Sequence, residues 1–328
     1  MLKISAHRKE IKMKLPYSYA RSKDETCLVF RVKITDGTHV GWGEGGAFES
    51  FFEQSLDHEF EMLEAVVQKI QPQDLKAENL PSLLPPGPAL NALDAALWDY
   101  KAKKSGRPIW ALLNIQEPKP VKIMFTISMA EEKQLRQEIL DSQNFPILKV
   151  KLGSDNDVER LELVRKLRPD ADIVVDVNGR WDVKKLQSIM PILEEFKIKM
   201  IEQPLPKDND AELRNVIRTI PIIADESFST INDLDRLEPL YDGVNIKLDK
   251  CGGLTQALEI VKEARKRNMR IMVGCLPATS LSSAVGIIAA QFAEFVDLDN
   301  QFWVPDNFFP PLVYQDKCLF PPTSKLWG

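Results

Sequence analysis

Histidine is scarce in this sequence and confined to one end of it. The three histidines are His7, His39 and His58, and none follows in the rest of the 328-residue chain. An imidazole base or a histidine zinc ligand beyond residue 58 would therefore have to come from the N-terminal segment. This distribution argues against histidine-based chemistry in most of the molecule.

Cysteine, positive charge and long apolar runs are also limited. Four cysteines are widely spaced and form no CxxC pair, so we expect buried free thiols instead of a disulfide framework or a zinc site. The formal net charge is −5, which argues against nucleic acid as the main partner. No apolar run approaches the roughly 20 residues that span a bilayer, and the first 15 residues contain no apolar segment. We therefore expect a cytoplasmic protein without a membrane partner.

The first third of the chain predicts a separate α+β domain over residues 1–118. Short runs of mixed apolar and polar residues predict strands up to residue 50, with a turn at Asp36-Gly37. Apolar residues spaced by three and four predict a helix over residues 51–70. A second helix is predicted between Pro88 and Gly106, because proline favours helix starts and glycine favours helix ends.

One motif in this region invites a different interpretation. The segment from Gly41 to Gly46 formally matches GxGxxG, the pattern of dinucleotide-binding loops. Such a loop must join a parallel strand to a helix, whereas the preceding runs here predict antiparallel strands. The segment is therefore predicted to end a hairpin, not to bind a nucleotide.

From about residue 120 the pattern changes to strands alternating with amphipathic helices. The eight β-rich runs are VKIMFTI, FPILKVKL, DIVVDV, IKMIEQP, IPIIADE, GVNIKLD, RIMVGC and EFVDLD. Eight strand–helix units predict the α/β class and a (β/α)8-type barrel over residues 119–302, with a doubly wound open sheet as the alternative. Residues 303–328 form a tail that we expect to pack back on the first domain.

Polar residues mark the ends of these predicted strands, where buried parallel strands are normally apolar. The residues are Lys149, Lys151, Asp176, Asn178, Glu202, Asp225, Glu226, Lys247, Asp297 and Asp299. From Lys151 to Lys247, successive strand ends are 22–26 residues apart, which is one strand–helix repeat. The side chains should therefore meet at the carboxyl end of the barrel, where barrel enzymes carry their active sites.

Three carboxylates on neighbouring strands, Asp176, Glu202 and Asp225, would repel one another without a cation. Their oxygen-only donor set suits Mg²⁺ best, although each could instead cap a loop or a helix. Lys151 and Lys247 flank the trio and suit acid–base chemistry, because burial and neighbouring positive charge lower a lysine pKa. Lys149 would supply that neighbouring charge, and the alternative is that the lysines only neutralise surplus carboxylates.

Several segments together resemble the enolase superfamily, muconate-lactonizing subgroup, and within it most of all the dipeptide epimerases of the L-Ala-D/L-Glu type. The segments are GWGE, ALNALDAALWDYKAKKSGRP, FPILKVKLG, DIVVDVNGRW, MIEQPLP, IIADES, VNIKLDKCGGL and DLD. The resemblance implies that the N-terminal α+β domain caps the barrel. It also implies one Mg²⁺ per subunit, held by Asp176, Glu202 and Asp225.

The resemblance further implies 1,1-proton transfer at the α-carbon of a dipeptide's C-terminal residue. Lys151 and Lys247 would serve opposite faces of that carbon, while the metal stabilises an enediolate. The lack of histidine after residue 58 agrees, because the mandelate-racemase subgroup needs a barrel histidine. The substrate's α-ammonium group would meet Asp297 and Asp299.

Four further residues have roles that the resemblance implies, and one position departs from the family pattern. Asn178 and Glu226 would support the metal ligands, and Arg21 and Phe51 lie in segments that cap the substrate in this family. The chain has Ala278 where many dipeptide epimerases carry an acidic residue after strand seven, which favours a substrate other than Ala-Glu.

Other functions stay open at this point. An o-succinylbenzoate synthase or a muconate-type cycloisomerase would share the lysines and the metal but would not need the Asp297/Asp299 pair. A non-catalytic binding protein of the same fold would not need both lysines. A homo-oligomer is expected from the family alone.

Overall fold

The computed structural model describes residues 2–18, 23–48, 55–71, 75–305 and 308–328. It begins with an antiparallel sheet of β1 (Lys3–Ser18), β2 (Lys23–Thr35) and β3 (Val40–Ala47), in that order. The predicted turn joins β2 to β3: Gly37 has φ +97°, and Asp36 Oδ1 accepts the main-chain N–H groups of Thr38 and His39. The hairpin prediction is confirmed.

The described residues of the N-terminal domain also form the α-helices α1 (Leu56–Lys69), α2 (Pro88–Ser105) and α3 (Ile109–Leu112), and a short 3-10 helix (Ala77–Ser82). As predicted, α2 starts at Pro88 and ends at Gly106, whose φ of +64° allows the left-handed conformation that stops the helix.

The glycines of the GxGxxG match have a packing role. A Cβ at Gly43 would lie 2.1 Å from the carbonyl oxygen of Ala92, and one at Gly45 would lie 2.1 Å from that of Pro88. Because these positions lack side chains, α2 lies directly against the backbone of β3. The segment is thus part of an antiparallel strand, and the nucleotide-loop alternative is excluded for it.

The second domain is the predicted barrel of eight parallel strands. They are β4 (Met124–Ile127), β5 (Ile147–Lys151), β6 (Asp172–Asp176), β7 (Ile198–Glu202), β8 (Ile222–Ala224), β9 (Gly243–Lys247), β10 (Arg270–Gly274) and β11 (Phe295–Val296), paired in chain order. The connecting helices include α4 (Glu132–Asp141), α5 (Asp157–Leu167), α6 (Val183–Glu195), α7 (Leu234–Leu237), α8 (Leu248–Cys251), α9 (Leu254–Lys266) and α10 (Ser280–Ala290), followed after β11 by α11 (Asn300–Trp303). Consecutive pairing around one sheet excludes the doubly wound alternative.

The barrel closes at a seam between its first and last strands. Among the described residues, β4 and β11 share no ladder of main-chain hydrogen bonds. Instead, the carboxylate of Asp299 accepts the main-chain N–H of Thr126 on β4 at 3.0 Å and the indole N–H of Trp303 at 2.9 Å. A side chain therefore completes the ring at this position.

The barrel interior has an apolar lower layer. It consists of Met124, Val174, Met200, Ile223 and Met272, all fully buried. Two residues after Val174, Met200 and Ile223, the inward side chains are the carboxylates of Asp176, Glu202 and Asp225. Since side chains two apart on a strand point the same way, the charged layer lies directly above the apolar one.

A buried polar junction joins the two domains. Glu44 within β3 accepts hydrogen bonds from both the N–H and the hydroxyl of Thr279 in the barrel, and one from Arg31 of its own domain. Asp249 in α8 accepts the N–H of Gly46 at 2.7 Å and the amide of Asn91 in α2 at 2.7 Å. Each of the two buried carboxylates is thus satisfied in part by donors from the other domain.

The C-terminal tail returns to the N-terminal domain. The indole N–H of Trp327 donates to the carbonyl of Ala95 in α2, and the N–H of Gly328 donates to Asp99 in the same helix. The tail also forms the short hairpin β12 (Tyr314–Gln315) and β13 (Cys318–Leu319). We propose residues 1–118, 119–302 and 303–328 as the three units of the chain.

Two absences bear on the earlier expectations. All four cysteines are free thiols. Within the described ranges, no helix combines the length and apolarity needed to cross a membrane.

Candidate active site

The two predicted acid–base lysines lie at the carboxyl ends of β5 and β9, on opposite sides of the carboxylates. Lys151 Nζ donates to Asp176 Oδ2 at 2.6 Å, and Lys247 Nζ donates to Asp225 Oδ2 at 2.7 Å. Both lysines are about 5% exposed. The strands thus hold two ammonium groups toward one buried region.

Lys149 lies among three carboxylates. Its Nζ is 3.0 Å from Asp176 Oδ2, 2.8 Å from Glu202 Oε2 and 2.7 Å from Asp297 Oδ2. One ammonium group therefore links the metal-ligand candidates to the pair at the end of β11.

The three metal-ligand candidates come from adjacent strand ends. Asp176 closes β6, Glu202 closes β7 and Asp225 follows β8, and all three are fully buried. In the part of the chain that the structure describes, ammonium groups lie between these carboxylates, and no three acidic, histidine or cysteine side chains are drawn together as a closed metal cluster. The donor set nevertheless fits a hard divalent cation, since all three side chains offer only oxygen donors at adjacent strand ends, where the carboxylates already attract ammonium groups.

The charge count of the region supports the same conclusion. The acidic groups are Asp176, Glu202, Asp225, Glu226, Asp297 and Asp299, and the basic groups are Lys149, Lys151, Lys247 and Lys250; all are buried except Glu226, which is partly exposed. If all were ionised, two negative charges would remain uncompensated in a buried site. A divalent cation would neutralise them.

The carboxylate pKa values reflect this crowding. Burial opposes ionisation of Asp176, but Lys149 and Lys151 outweigh it and hold its pKa at about 2. Burial and Asp176 raise the pKa of Glu202 to about 8. The pKa of Asp225 lies below its usual value because the charges of Lys247 and Lys250 outweigh the effect of burial. The pKa values of the three carboxylates are therefore shifted in different directions, according to the charges beside each one.

One electrostatic expectation is wrong. Lys247 was expected to have a lowered pKa, yet its pKa is raised in the structure. Burial opposes the ammonium form, but Asp225 and Glu202 together stabilise it more strongly. Positive neighbours such as Lys149 act in the expected direction and are outweighed by the carboxylates.

Asn178 and Glu226 lie beside the predicted ligands. Asn178 accepts a hydrogen bond from Lys151 at 3.1 Å and donates through its amide to Glu226 at 3.1 Å, while its N–H donates to Asp176 Oδ1. Its φ of +48° is a left-handed conformation that asparagine tolerates better than most residues. The pair therefore connects one acid–base lysine with the strand end after β8.

Asp297 and Asp299 have different surroundings. Asp297 Oδ2 accepts from Lys149, whereas its Oδ1 is buried without a hydrogen-bond partner among the described residues. Asp299 instead uses its carboxylate at the seam with Thr126 and Trp303. Burial, followed by the charge of Asp297, raises the pKa of Asp299 to about 6. The pair is thus close in space but unequal in its bonding.

A small cavity of about 30 Å³ lies beside this pair. Met13 of β1 and Cys275, Leu276 and Pro277 after β10 contribute to its lining. Ala278, the departure from the family pattern, is fully buried where this loop meets β3. The capping domain therefore reaches the mouth of the barrel. Arg21 and Phe51 lie outside the described residues.

Lys250 is a site residue that the sequence reasoning missed. Its ammonium group donates to Asp225 Oδ1 at 2.7 Å, to the carbonyl of Asp225 at 2.5 Å and to the carbonyl of Phe228 at 2.7 Å. It lies one helical turn after Lys247, so the KLDK spacing was the available signal. With its three hydrogens engaged, Lys250 anchors Asp225 from behind.

Both domains of the chain match known protein families. Residues 131–325 match the family described as "Enolase C-terminal domain-like", and residues 2–114 match "Mandelate racemase / muconate lactonizing enzyme, N-terminal domain". The chain belongs to the enolase superfamily. The resemblance drawn from the sequence is thereby confirmed, together with the capped-barrel fold.

This enolase-superfamily member is similar to several known proteins over nearly its whole length. It is 34% identical to the N-acetyl-D-glutamate racemase of a Pseudoalteromonas species, covering 90% of this chain and 94% of that protein. It is 33% identical to the L-Ala-D/L-Glu epimerase of Escherichia coli K12, covering 91% and 93%. A solved enolase family member from Agrobacterium tumefaciens, with homology to dipeptide epimerases and with bound sodium and L-Ala-L-Glu, matches with a TM-score of 0.94 and 33% identity over all of both chains.

Proposed function

We propose that the chain is a Mg²⁺-dependent dipeptide epimerase that inverts the α-carbon of the C-terminal residue of L-Ala-L/D-Glu or a related dipeptide. The observation that carries this proposal is the placement of Lys151 and Lys247 on opposite sides of a buried carboxylate trio, with the unsatisfied Asp297 oxygen nearby. Its relatives include a dipeptide epimerase of similar length.

The two lysines perform the proton transfer. One lysine in its neutral form takes the α-proton, and the electron pair left on the carbon delocalises into the substrate carboxylate. The other lysine, as an ammonium group, returns a proton to the opposite face. Exchange of the roles of Lys151 and Lys247 reverses the reaction, so each base serves one epimer.

Three residues would hold the metal: Asp176, Glu202 and Asp225. When bound, the ion supplies Lewis-acid stabilisation of the charge that develops on the substrate carboxylate. Lys250 and Lys149 carry fixed positive charge beside these ligands and limit their mutual repulsion.

Asp297 would receive the α-ammonium group of the dipeptide. Its Oδ1 is a buried acceptor without a partner among the described residues, and an ammonium group supplies both the missing donor and the opposite charge. Met13 and Leu276, which line the cavity beside it, would contact the N-terminal residue.

N-acyl amino acid racemisation is a second candidate, favoured by the 34% identity to the Pseudoalteromonas enzyme. It would use the same lysines and metal ligands. An N-acetyl amino acid has no ammonium group, however, so it would leave the charge of Asp297 without a substrate partner.

Proton exchange in D₂O separates these candidates. The protein with Mg²⁺ is incubated with L-Ala-L-Glu, a panel of other dipeptides and N-acetyl-L-glutamate, and deuterium at the α-carbon is followed by NMR. We expect exchange and epimer formation with dipeptides. Exchange with N-acetyl-L-glutamate alone would favour the racemase, and no exchange with any substrate would contradict both.

A further inference from the structure

Gln203 lies directly behind the proposed metal ligands. It follows Glu202, is fully buried and has φ +37°, a backbone conformation that is uncommon for residues other than glycine. Its main-chain N–H donates to Ile223 on β8, and its carbonyl accepts from Gly179 after β6. The residue therefore joins the ends of three adjacent strands.

The side chain of Gln203 extends this connection to Asp225. Its Oε1 accepts the main-chain N–H of Asp225 at 2.9 Å and that of Ser227 at 3.2 Å. Because β8 ends at Ala224, the amide supplies the acceptor that a neighbouring strand would otherwise provide. Its Nε2 donates to the carbonyl of Leu205 at 2.8 Å.

A second pair of residues supports the orientation of the amide that these backbone groups require. The hydroxyl of Tyr241 donates to Asp210 Oδ1 at 2.5 Å, and Gln203 Nε2 donates to the Tyr241 oxygen at 3.0 Å. Because the phenol gives its only hydrogen to Asp210, its oxygen can only accept from Gln203. The amide nitrogen must then face Tyr241, which leaves Oε1 toward the Asp225 N–H.

Asp210, the anchor of this chain of hydrogen bonds, is itself buried and held by several donors. Asp210 is 3% exposed and also accepts from Arg236 at 3.0 Å and from the hydroxyl of Ser227 at 2.9 Å. Burial, together with Asp210, raises the pKa of Tyr241 above its usual value, so the phenol keeps its hydrogen. Asp210 and Tyr241 thus favour the same orientation of the Gln203 amide as the backbone groups do.

We propose that Gln203 is a positioning residue for Asp225, and that Tyr241 and Asp210 help to hold its side-chain amide in place. This inference rests on the proposed function, because it takes Asp225 as a metal ligand. Loss of the directed amide would leave the backbone at Asp225 free to shift and would weaken Mg²⁺ binding before any chemical step.

Tyr241→Phe and Asp210→Asn test the proposal in the full-length protein. Tyr241→Phe removes one acceptor of Gln203 Nε2, and Asp210→Asn removes the charged acceptor that holds the Tyr241 hydroxyl in place. Gln203→Met removes the acceptor of the Asp225 N–H itself. Calorimetry without substrate measures the Mg²⁺ dissociation constant, and hydrogen exchange of the metal-free protein measures protection at Asp225.

We expect each variant to bind Mg²⁺ about 10-fold more weakly, in the range typical for residues behind metal ligands. We also expect faster exchange at the Asp225 amide, and an affinity in the double variant equal to that of either single variant. Tyr314→Phe is the matched control, since its hydroxyl donates to the Asn144 carbonyl at a distant surface position. That control should keep wild-type affinity and exchange.

Two further results separate this inference from the proposed function. If Tyr241→Phe lowers thermal stability but leaves both Mg²⁺ affinity and Asp225 exchange unchanged, the network is only structural and the inference is wrong. Asp225→Asn tests the ligand assignment itself: unchanged Mg²⁺ affinity would overturn that assignment. Strong loss of Mg²⁺ affinity in Asp225→Asn with wild-type affinity and Asp225 exchange in Gln203→Met would overturn the positioning role alone. If Asp210→Asn does not fold, Tyr241→Phe and Gln203→Met decide the question.

Discussion

The lower and upper layers of the barrel interior stand on the same strands, yet they differ in chemistry. Val174, Met200 and Ile223 are fully buried apolar side chains, and the carboxylates that follow two residues later in the chain are fully buried as well. Burial of the lower layer stabilises the fold, whereas burial of a carboxylate costs free energy unless a cation compensates it. The difference indicates that the fold holds its charged layer on an apolar support.

The largest expected effect comes from the upper layer. Lys151→Arg or Lys247→Arg keeps the positive charge beside Asp176 or Asp225 but removes a group that can lose its proton. We expect epimerisation to fall by about 10²- to 10⁴-fold, while α-proton exchange from one epimer survives in each variant. NMR in D₂O measures both quantities. Wild-type epimerisation in either variant would contradict the roles of the lysines, and Mg²⁺ affinity serves as the control for an intact site.

A substitution in the lower layer should have the opposite profile. Met200→Ala leaves a cavity under the charged layer, and we expect a loss of about 2–5 kcal/mol in the free energy of unfolding. Denaturant unfolding measures this loss. Mg²⁺ affinity should stay within about twofold of wild type.

Lys199→Ala is the control for Met200→Ala, since Lys199 is on the same strand with an exposed side chain. It should change the free energy of unfolding by less than about 0.5 kcal/mol. A large loss of metal affinity in Met200→Ala would show that the two layers are not separable.

The charged layer could be predicted in part from sequence. The repeat spacing identified the strand ends, and side chains that share a strand end in a barrel must converge, so the lysines and the carboxylates could be found without coordinates. Contacts between side chains on different strands could not be predicted. Whether Lys149 reaches Asp297, or Gln203 reaches the N–H of Asp225, depends on strand register and side-chain length across neighbours. The pKa of Lys247 was misjudged for the same reason, because the nearby carboxylates outweigh burial.

Asp94 is a buried carboxylate outside the barrel with less positive charge nearby than the carboxylates of the site, and the pH dependence of stability tests this difference. Asp94 in α2 accepts from the N–H and the hydroxyl of Thr255, but burial raises its pKa from 3.8 to about 6. The folded protein therefore holds this proton more tightly than the unfolded chain does. Stability from this group is present at low pH and is lost as pH rises from about 4 to about 6.

Asp94→Asn removes this titration. Over that pH window we expect wild type to lose about 2–3 kcal/mol of unfolding free energy relative to the variant, since one pKa unit corresponds to about 1.4 kcal/mol. Urea unfolding at pH 4, 5, 6 and 7 gives both curves. If the unfolding free energies of wild type and variant change with pH in parallel, Asp94 is not the cause of the pH dependence.

The smallest expected effects come from the two aspartates that follow β11, Asp297 and Asp299, which should differ in their roles. Asp299→Ala leaves the Thr126 N–H without its acceptor at the seam, and we expect a loss of about 1–3 kcal/mol in stability. Asp297→Asn should change stability less but raise KM for dipeptides with a free amino group. Thermal unfolding and steady-state kinetics separate the two. The reverse result, with Asp299 controlling KM and Asp297 stability, would contradict their assigned roles.

The seam also has a consequence for the order in which the protein is made. Thr126 and Asp299 belong to opposite ends of the barrel in the sequence, so their contact cannot form until residue 299 has left the ribosome. Until then the outer edge of β4 lacks the side-chain contact that completes the ring, and an uncovered strand edge is a site where chains aggregate. β4 is the first barrel strand to be made, yet this contact of its edge depends on one of the last barrel residues to be made.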